Sequence, residues 1–279
     1  MCYKNGQIVD NISIFDRAFQ YGDGCFTTAR IDKSHIELEQ RHHQRLKDAA
    51  EKLCLKLDFA LLDETIERLG QNFDELNGTL KIVISRGEGQ RGYAMPEHAA
   101  DLYVFYYPQD THAFKPEYID SGVLTQSIGL TMPTLVGLKS LNRLEQVMLK
   151  KEAQEKDWIE ALVTDVQGKV VEGVSSNCFI RINNTWITPE LRYNGVHGVM
   201  RAEILQRMQR QQIPCEQRSV DLDEIPHIQS LFFCNALSPM KIAQTLDTCA
   251  LEIQPCVELF ETLQLQLLKS HAEYSCKNQ

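Results

Sequence analysis

A lysine in an apolar setting is the first residue of this sequence that could do covalent chemistry. Lys139 has Val136, Leu138 and Leu141 as neighbours, and Ser140 is a good N-cap for a helix that begins just after it. Partial desolvation disfavours the charged amine, so a neutral nucleophile that can attack a carbonyl carbon becomes accessible near neutral pH. A lysine beside a helix start is also common as a solvated surface residue, and the pattern alone leaves both interpretations open.

A glutamate and a glycine-flanked helix start supply two further kinds of chemistry. Glu172 interrupts an apolar strand pattern, where a glutamate ordinarily faces solvent. Residues 194–201 lead into an amphipathic helix that runs to about residue 210. Free backbone N–H groups and the positive end of the helix dipole predict an anion site at Val199 and Met200. We interpret His197, in the same stretch, as loop structure.

Two adjacent threonines stand on a predicted strand that follows the loop 16–24. Successive side chains of a strand point to opposite faces, so Phe26 and Thr28 share one face and Thr27 lies on the other. A site on one face of the strand can therefore contain only one of the two threonines. We choose Thr28.

A helix is predicted over residues 37–55, where apolar residues recur at helical spacing. Arg41 and Arg45 are neighbours on it, and the planar fork of an arginine suits a phosphate group. We keep Arg41 as a solvated residue. His42 and His43 project about 100° apart and cannot share an ion, and we predict no metal site.

Four segments resemble one enzyme family. Residues 137–147 resemble the cofactor-lysine segment of the aminodeoxychorismate lyases, and residues 16–30, 85–93 and 234–237 resemble further segments of that family in the same order. These lyases are pyridoxal-phosphate enzymes of fold type IV, which also holds the branched-chain and D-amino-acid aminotransferases. The resemblance implies an α+β chain of two domains with the cofactor in the cleft between them.

The resemblance also implies a role for each candidate residue. Lys139 would carry pyridoxal 5'-phosphate, and Glu172 would pair with the pyridine nitrogen and keep it protonated. The cofactor phosphate would be held by the remaining members of the cofactor set: Arg45, Val199, Met200 and Asn235. Thr28 would face the cofactor as a catalytic residue together with Lys139.

Two residues are candidates for substrate binding. Arg91 would hold a substrate carboxylate and Tyr21 would contact the substrate, although a loop arginine is also common as a solvated residue. The implied reaction converts 4-amino-4-deoxychorismate to 4-aminobenzoate and pyruvate, a step towards folate. A class IV aminotransferase on the same scaffold is the alternative, and a homodimer is implied by the family alone.

A glycine motif offers a different function. Residues 87–92 match G-x-G-x-x-G and follow a predicted strand, which would suit a nucleotide-binding protein without enzyme activity. That motif must open a crossover helix, however, and the next apolar run, 102–107, looks like another strand. We therefore predict a β-hairpin with a long glycine-rich loop.

The remaining elements define the predicted frame. A small N-terminal α/β domain is predicted over residues 1–107, a linker over 108–118 and a larger cofactor-binding domain over 119–279. Strands are expected at 122–129, 160–164 and 170–174, and a C-terminal helix at 257–269. The charged run 150–157 is expected to be a solvated face.

Composition limits the classes of partner. The chain has 279 residues, 43% of them hydrophobic, a formal net charge of -9 and nine cysteines without Cys-x-x-Cys spacing. Because nucleic-acid binding needs a basic face, the charge favours a small-molecule partner and no nucleic acid. We expect reduced and mostly buried thiols, no membrane span and a cytoplasmic location.

Overall fold

The computed structural model describes residues 1 to 268, and the chain divides into two compact units. Unit 1 comprises Met1–His112, Lys139–Asn142 and Leu268. Unit 2 comprises Ala113–Leu138 and Arg143–Leu267. The domain boundaries at 107 and 119 remain predictions, and Lys139 belongs by its contacts to unit 1.

Unit 1 contains six strands and three helices. The strands are β1 (Cys2–Lys4), β2 (Gln7–Ile8), β3 (Gly24–Asp32), β4 (His35–Ile36), β5 (Gly78–Ser85) and β6 (Asp101–Pro108). The helices are α1 (Arg17–Tyr21), α2 (Glu39–Lys52) and α3 (Ala60–Gly70). The strands form one antiparallel sheet in the order β2-β1-β6-β5-β3-β4.

The core of unit 1 follows from two sequence periods. Buried and half-buried residues alternate along β3, as expected for a sheet with one covered face. Helix α2 buries His42, Leu46, Ala49 and Ala50, the face that the sequence predicts. The predicted β-hairpin is also confirmed, because β5 and β6 are antiparallel partners and residues 86–100 join them without a helix. The dinucleotide-binding interpretation of the glycines is therefore wrong.

Unit 2 contains nine strands and three helices within the described residues. The strands are β7 (Glu117–Ser121), β8 (Leu162–Thr164), β9 (Val170–Gly173), β10 (Asn177–Ile182), β11 (Thr185–Pro189), β12 (Cys215–Arg218), β13 (Ser230–Asn235), β14 (Ser238–Leu246) and β15 (Cys249–Ala250). The helices are α4 (Leu144–Glu155), α5 (Val199–Arg210) and α6 (Gln254–Thr262).

The strands of unit 2 form a large mixed sheet and a separate pair. The large sheet has the order β12-β11-β10-β13-β14-β15, and β7 pairs with β14 in parallel. Strands β8 and β9 pair antiparallel, and residues 165–169 join them. Antiparallel pairing with helices outside the sheets confirms the predicted α+β class. Among residues 1–268, no helix combines the length and apolar composition that a bilayer crossing requires.

Three element predictions are wrong. The strand expected at 122–129 lies earlier, at β7, and only isolated bridges at Val123 and Ile128 keep the later segment extended. The charged run is not wholly solvated, because buried Glu152 accepts hydrogen bonds from both the backbone N–H and the hydroxyl of Thr125. The C-terminal helix spans Gln254–Thr262, and residue 269 lies outside the described residues.

The cysteines divide evenly between buried and accessible positions. Eight lie within the described residues, all as free thiols, and four of them are buried: Cys25, Cys178, Cys234 and Cys256. The expectation of mostly buried thiols is therefore only partly met. Burial raises the pKa of the Cys25 thiol to about 12, so that this thiol stays protonated.

Candidate active site

The segment around Lys139 is extended and paired with strand β3. The amide of Phe26 donates to the carbonyl of Lys139 over 3.0 Å, and the amide of Leu141 donates to the carbonyl of Gly24 over 3.1 Å. Ser140 forms an isolated antiparallel bridge with Cys25 between these two bonds. The predicted N-cap at Ser140 is therefore wrong, because a residue bonded as a strand cannot start a helix.

The helix expected at residue 141 begins at Leu144 instead. Its N-cap is Arg143, whose side chain makes no capping bond and instead donates to the carbonyl of Leu138 over 3.1 Å. Lys139 thus lies on a strand-like arm and not in the mouth of a helix. The arm fixes the lysine more firmly than a helix entrance would, because its main chain is bonded on both sides of Ser140.

Lys139 projects to the β3 face that carries Phe26. The Lys139 amine lies 4.8 Å from the centre of the Phe26 ring. Thr28 is half-buried on the same face of the strand, two residues further along, whereas Thr27 is fully buried on the opposite face. The predicted alternation is confirmed, and it leaves Thr28 as the threonine on the lysine's side. Its catalytic role remains a prediction.

Arg45 contacts the opposite face of β3. Its guanidinium lies 3.5 Å from the hydroxyl of Thr27, at the long end of hydrogen bonding, and that hydroxyl lies 2.6 Å from Nδ1 of His42. Burial, with Arg45 and His43 nearby, lowers the pKa of His42 to about 3. His42 is therefore a neutral structural residue, as the sequence indicates. The phosphate role of Arg45 stays a proposal.

Glu172 is a buried carboxylate in unit 2 and not an outward-facing strand residue. Its Oε2 accepts hydrogen bonds from the Val196 amide over 2.9 Å and from the Asn177 side chain over 3.2 Å. Burial lowers the pKa of the nearby Arg143, and the charge of Glu172 partly opposes that effect. The glutamate thereby connects β9 with the loop that leads into α5.

Helix α5 begins with buried Val199 and Met200, as predicted. Its N-cap is Gly198, and the cap makes no side-chain hydrogen bond. A side chain at Gly198 would meet the Asn177 amide oxygen at 1.8 Å, so glycine is required at this close approach. The nearby Arg201 turns away and donates to Thr188 over 3.0 Å. The backbone N–H groups at this helix start are the first candidates to bind an anion.

Asn235 has a defined structural role at the end of β13. Its side-chain oxygen accepts from the amides of Leu237 and Ser238, each over 3.0 Å, and its side-chain nitrogen donates to Ser176 over 3.0 Å. The oxygen therefore holds the turn between β13 and β14. A direct contact of Asn235 with a phosphate or substrate remains a prediction.

Tyr21 and Arg91, the two candidates for substrate binding, belong to segments of unit 1 that contact each other. The hydroxyl of Tyr21 accepts a hydrogen bond from the amide of Gly92 over 3.0 Å, and Arg91 precedes that glycine with an exposed side chain. Tyr21 is the last residue of helix α1, which lies in the segment 16–24 that is predicted from the sequence to be a loop. The short helix was missed because its five residues have no apolar period of their own.

A second lysine lies on the face of β3 that carries Phe26 and Thr28. Lys81 of β5 pairs directly with Thr28, and its amine lies 5.2 Å from the same Phe26 ring. Lys81 is not among the site residues predicted from the sequence. The register of two antiparallel strands, once known, would have placed it opposite Thr28 on the same face.

These residues fit a pyridoxal phosphate group by the chemistry of their donors. Lys139 offers a primary amine, Glu172 offers a buried carboxylate for a ring nitrogen, and the uncapped start of α5 offers N–H groups for a phosphate. The carboxylate also bonds the loop 195–198 that precedes this helix start. An amine, a carboxylate and an anion site are the three functions that this group requires.

The comparisons with known proteins identify the family of this chain. The family model described as amino-transferase class IV matches residues 24–244. Aminodeoxychorismate lyase of Vibrio harveyi is 31% identical over 247 residues, which cover 85% of this chain and 88% of that protein. D-alanine aminotransferase of Bacillus licheniformis is 27% identical over 254 residues, with 87% of each protein covered.

A solved structure supports the same assignment of fold. The crystal structure of 4-amino-4-deoxychorismate lyase from Pseudomonas aeruginosa superposes with a TM-score of 0.82 at 31% identity, over 92% of this chain and 97% of that one. The resemblance to fold type IV enzymes that the sequence indicates is thus confirmed. The chain belongs to the class IV aminotransferase family.

Proposed function

We propose that this chain is a pyridoxal-phosphate-dependent lyase that converts 4-amino-4-deoxychorismate to 4-aminobenzoate and pyruvate. The observation that carries the proposal is the arm at Lys139. Its main-chain bonds to β3 hold the lysine amine on the strand face that also carries Thr28. A base and a hydroxyl on one surface suit a reaction that removes one proton and delivers another.

The candidate residues would each have a part in holding the cofactor. Lys139 would hold it covalently, Glu172 would contact its ring nitrogen, and the N–H groups of Val199 and Met200 would bind its phosphate with help from Arg45 and Asn235. Pyridoxal phosphate, when bound, supplies a protonated ring that accepts negative charge from the substrate carbon. The buried Glu172 would keep that ring nitrogen protonated.

The protein's own groups would move the protons. Lys139, freed when the substrate amine binds, would take the proton from the substrate carbon that bears the nitrogen. The carbon–oxygen bond to the enolpyruvyl group then breaks, and its electron pair leaves with the oxygen. Thr28 or the protonated Lys139 would donate a proton to this leaving group. Formation of the aromatic ring makes the elimination strongly downhill.

An aminotransferase is the second candidate function. The D-alanine aminotransferase relative favours it, because Lys139, Arg45 and Glu172 would serve either reaction unchanged. The two differ in their products. The lyase releases pyruvate from the substrate's side chain, whereas an aminotransferase converts a donor amino acid to its keto acid.

The test is to mix the cofactor-loaded protein with enzymatically generated aminodeoxychorismate and follow 4-aminobenzoate and pyruvate together. We expect equimolar release of both, lost in Lys139→Ala and retained in Lys151→Ala, whose lysine is exposed on α4. A yellow, borohydride-sensitive protein that releases neither product, but converts D-alanine or a branched-chain amino acid, would establish the aminotransferase instead.

A further inference from the structure

Helix α1 connects the glycine-rich loop, defined here as residues 86–100, to the rest of unit 1 through one arginine. Arg17 is buried, with 3% of its surface exposed. Its Nη1 donates to the carbonyl of Gly92 over 2.8 Å, and its amide donates to the carbonyl of Gly87 over 2.9 Å. A single residue therefore bonds both the beginning and the middle of the loop.

Tyr21, at the other end of α1, binds the same glycine from its other side. The Gly92 amide donates to the Tyr21 hydroxyl over 3.0 Å. The Arg17 guanidinium stacks over the Tyr21 ring at 4.8 Å, and Tyr93 packs on that ring at 5.7 Å. Both backbone groups of Gly92 are thus bonded to side chains of α1.

The Arg17 side chain is itself held in place by a charged group, the carboxylate of Asp23. The Nε of Arg17 and the Nε of Arg86 each donate to Oδ2 of Asp23 over 2.8 Å. Burial works against ionisation of Asp23, but the bonds from Arg86 and Arg17 hold the pKa of this carboxyl below its usual range. The carboxylate therefore stays charged near neutral pH and keeps the Arg17 fork in one orientation.

Helix α1 also contacts the arm that carries Lys139. Its C-cap is Gly22, and the Asn142 side chain donates to the Gly22 carbonyl over 3.2 Å. A side chain at Gly22 would meet the Asn142 amide at 2.5 Å. The helix is thus bonded at one end to the lysine's arm and along its length to the loop.

We propose that Arg17 is a positioning residue that holds Gly92 on α1 and so fixes the backbone from which Arg91 reaches a substrate carboxylate. The inference rests on the proposed function and on the role predicted from the sequence for Arg91, the binding of a substrate carboxylate. Arg91 is exposed, and a long side chain on a mobile loop would lose conformational freedom on binding. Because Gly92 is already held by hydrogen bonds, the backbone next to Arg91 has less conformational freedom to lose when the substrate binds.

Two substitutions disturb the anchor in different ways. Arg17→Lys keeps a positive charge beside Asp23 but loses the planar fork that reaches Gly92 and stacks on Tyr21. Gly92→Ala introduces a side chain at φ +112, a conformation that glycine alone adopts readily, although nothing lies within 4 Å of the added carbon. The second variant leaves the buried arginine intact, so the test does not depend on Arg17→Lys folding.

Gly129→Ala is the matched control. Gly129 also has nothing within 4 Å of an added carbon, but its φ lies outside the left-handed range, and it is exposed in unit 2. The same chemical change is therefore made without backbone strain and away from the loop. We expect no effect of this substitution on any readout.

The main measurement is steady-state kinetics with aminodeoxychorismate. Amide hydrogen exchange of the loop 86–100 and the affinity for pyridoxal phosphate are measured on the same variants. Arg17→Lys and Gly92→Ala should each raise KM about tenfold with kcat nearly unchanged, since they weaken a charge-assisted contact to bound substrate. Exchange of the loop amides should accelerate, and cofactor affinity should stay the same. Arg91→Ala should raise KM without accelerating exchange.

Double variants decide whether Arg17 acts through Arg91. In the Arg91→Ala background, Arg17→Lys or Gly92→Ala should raise KM no further, because the contact that they position is already gone. Fully additive effects on KM would overturn the inference. It would also be overturned if Arg91→Ala raised KM while Arg17→Lys and Gly92→Ala left it unchanged. Both outcomes leave the proposed function standing. An unchanged KM in Arg91→Ala would remove Arg91 from the proposed substrate site and the inference with it.

Discussion

Adjacent residues on strand β3 have opposite environments because a strand turns each successive side chain to the other face. Thr27 is fully buried against His42, whereas Thr28 is half-buried on the face of Phe26 and Lys139. A hydroxyl committed to a buried histidine holds the fold together. A hydroxyl on the lysine's face can meet a substrate, which is why Thr28 is the threonine to test.

Replacing Thr28 by valine should strongly slow pyruvate formation while the absorbance of the bound cofactor stays intact. Valine preserves the shape of the side chain and removes only the proton donor. We expect a loss of about 100-fold in kcat, typical of a missing general acid, measured by pyruvate release. Thr185→Val, the same change on strand β11, is the control and should be silent. Unchanged turnover in Thr28→Val would leave Lys139 as the donor.

Replacing Glu172 by glutamine should lower kcat by about 100-fold or more and largely spare cofactor binding. The amide oxygen can still accept from Val196 and Asn177, so the loop before α5 keeps its bonds, but the charge that protonates the ring nitrogen is lost. Cofactor affinity and turnover are measured together. Glu152→Gln is the control, because this buried carboxylate serves only Thr125 and Gln126. Full activity in Glu172→Gln would exclude the proposed role.

At the scale of elements, helix α2 is attached to strand β3 through a neutral histidine. The pKa of His42 is lowered to about 3 from an ordinary 6.5, first by burial and then by the neighbouring Arg45 and His43. Between these values the unfolded chain binds a proton that the folded chain does not. The free energy of unfolding therefore decreases as the pH falls from about 6.5 towards 3, by up to about 1.4 kcal/mol per pH unit from this residue.

The pH dependence can be assigned by comparison with His42→Gln, whose side chain can still form a hydrogen bond with Thr27. Urea unfolding at pH 6.5, 5.5 and 4.5 should show wild type losing about 1 kcal/mol per pH unit more than the variant. Glu37 must remain in both proteins, because burial raises its pKa to about 7 and its titration stabilises the fold as pH falls. Parallel pH curves for the two proteins would contradict the assignment.

The arm at residues 139–142 shows how one element can take over residues that a local pattern assigns to another. Ser140 has the residue type of an N-cap, yet its backbone pairs with Cys25 and the helix starts four residues later. The competing partner, β3, lies more than a hundred positions away in the sequence. Main-chain bonds to a distant strand are invisible to a reading of neighbouring residues.

At the scale of the whole molecule, we propose a homodimer, as the family resemblance implies. Helix α4 leaves Leu144, Val147 and Met148 exposed by 74%, 60% and 44%, an apolar stripe at helical spacing that a second copy would cover. Sedimentation of the wild type should give about twice the chain mass of 32.0 kDa, and Val147→Glu should shift it towards one chain mass. A monomeric wild type would contradict the proposal. Val166→Glu, the same change at a 64% exposed valine outside this helix, is the control and should leave the mass unchanged.

The sequence by itself determined the family, the α+β class and the residue types of the candidate site. Local patterns sufficed for this, because the alternation along β3 and the glycine-flanked start of α5 depend on residues close together in the chain. The rejection of a dinucleotide site at residues 87–92 was local too, since no helical pattern follows those glycines.

Only the tertiary structure decided which of these residues share a surface. It paired the Lys139 arm with β3, buried Glu172 against Val196, placed Lys81 opposite Thr28 and bonded Gly92 to Arg17. Each contact joins residues far apart in sequence, and its stability comes from strand register, desolvation and packing against elements elsewhere in the chain. Those energies depend on the assembled fold, so a pattern of neighbouring residues cannot express them.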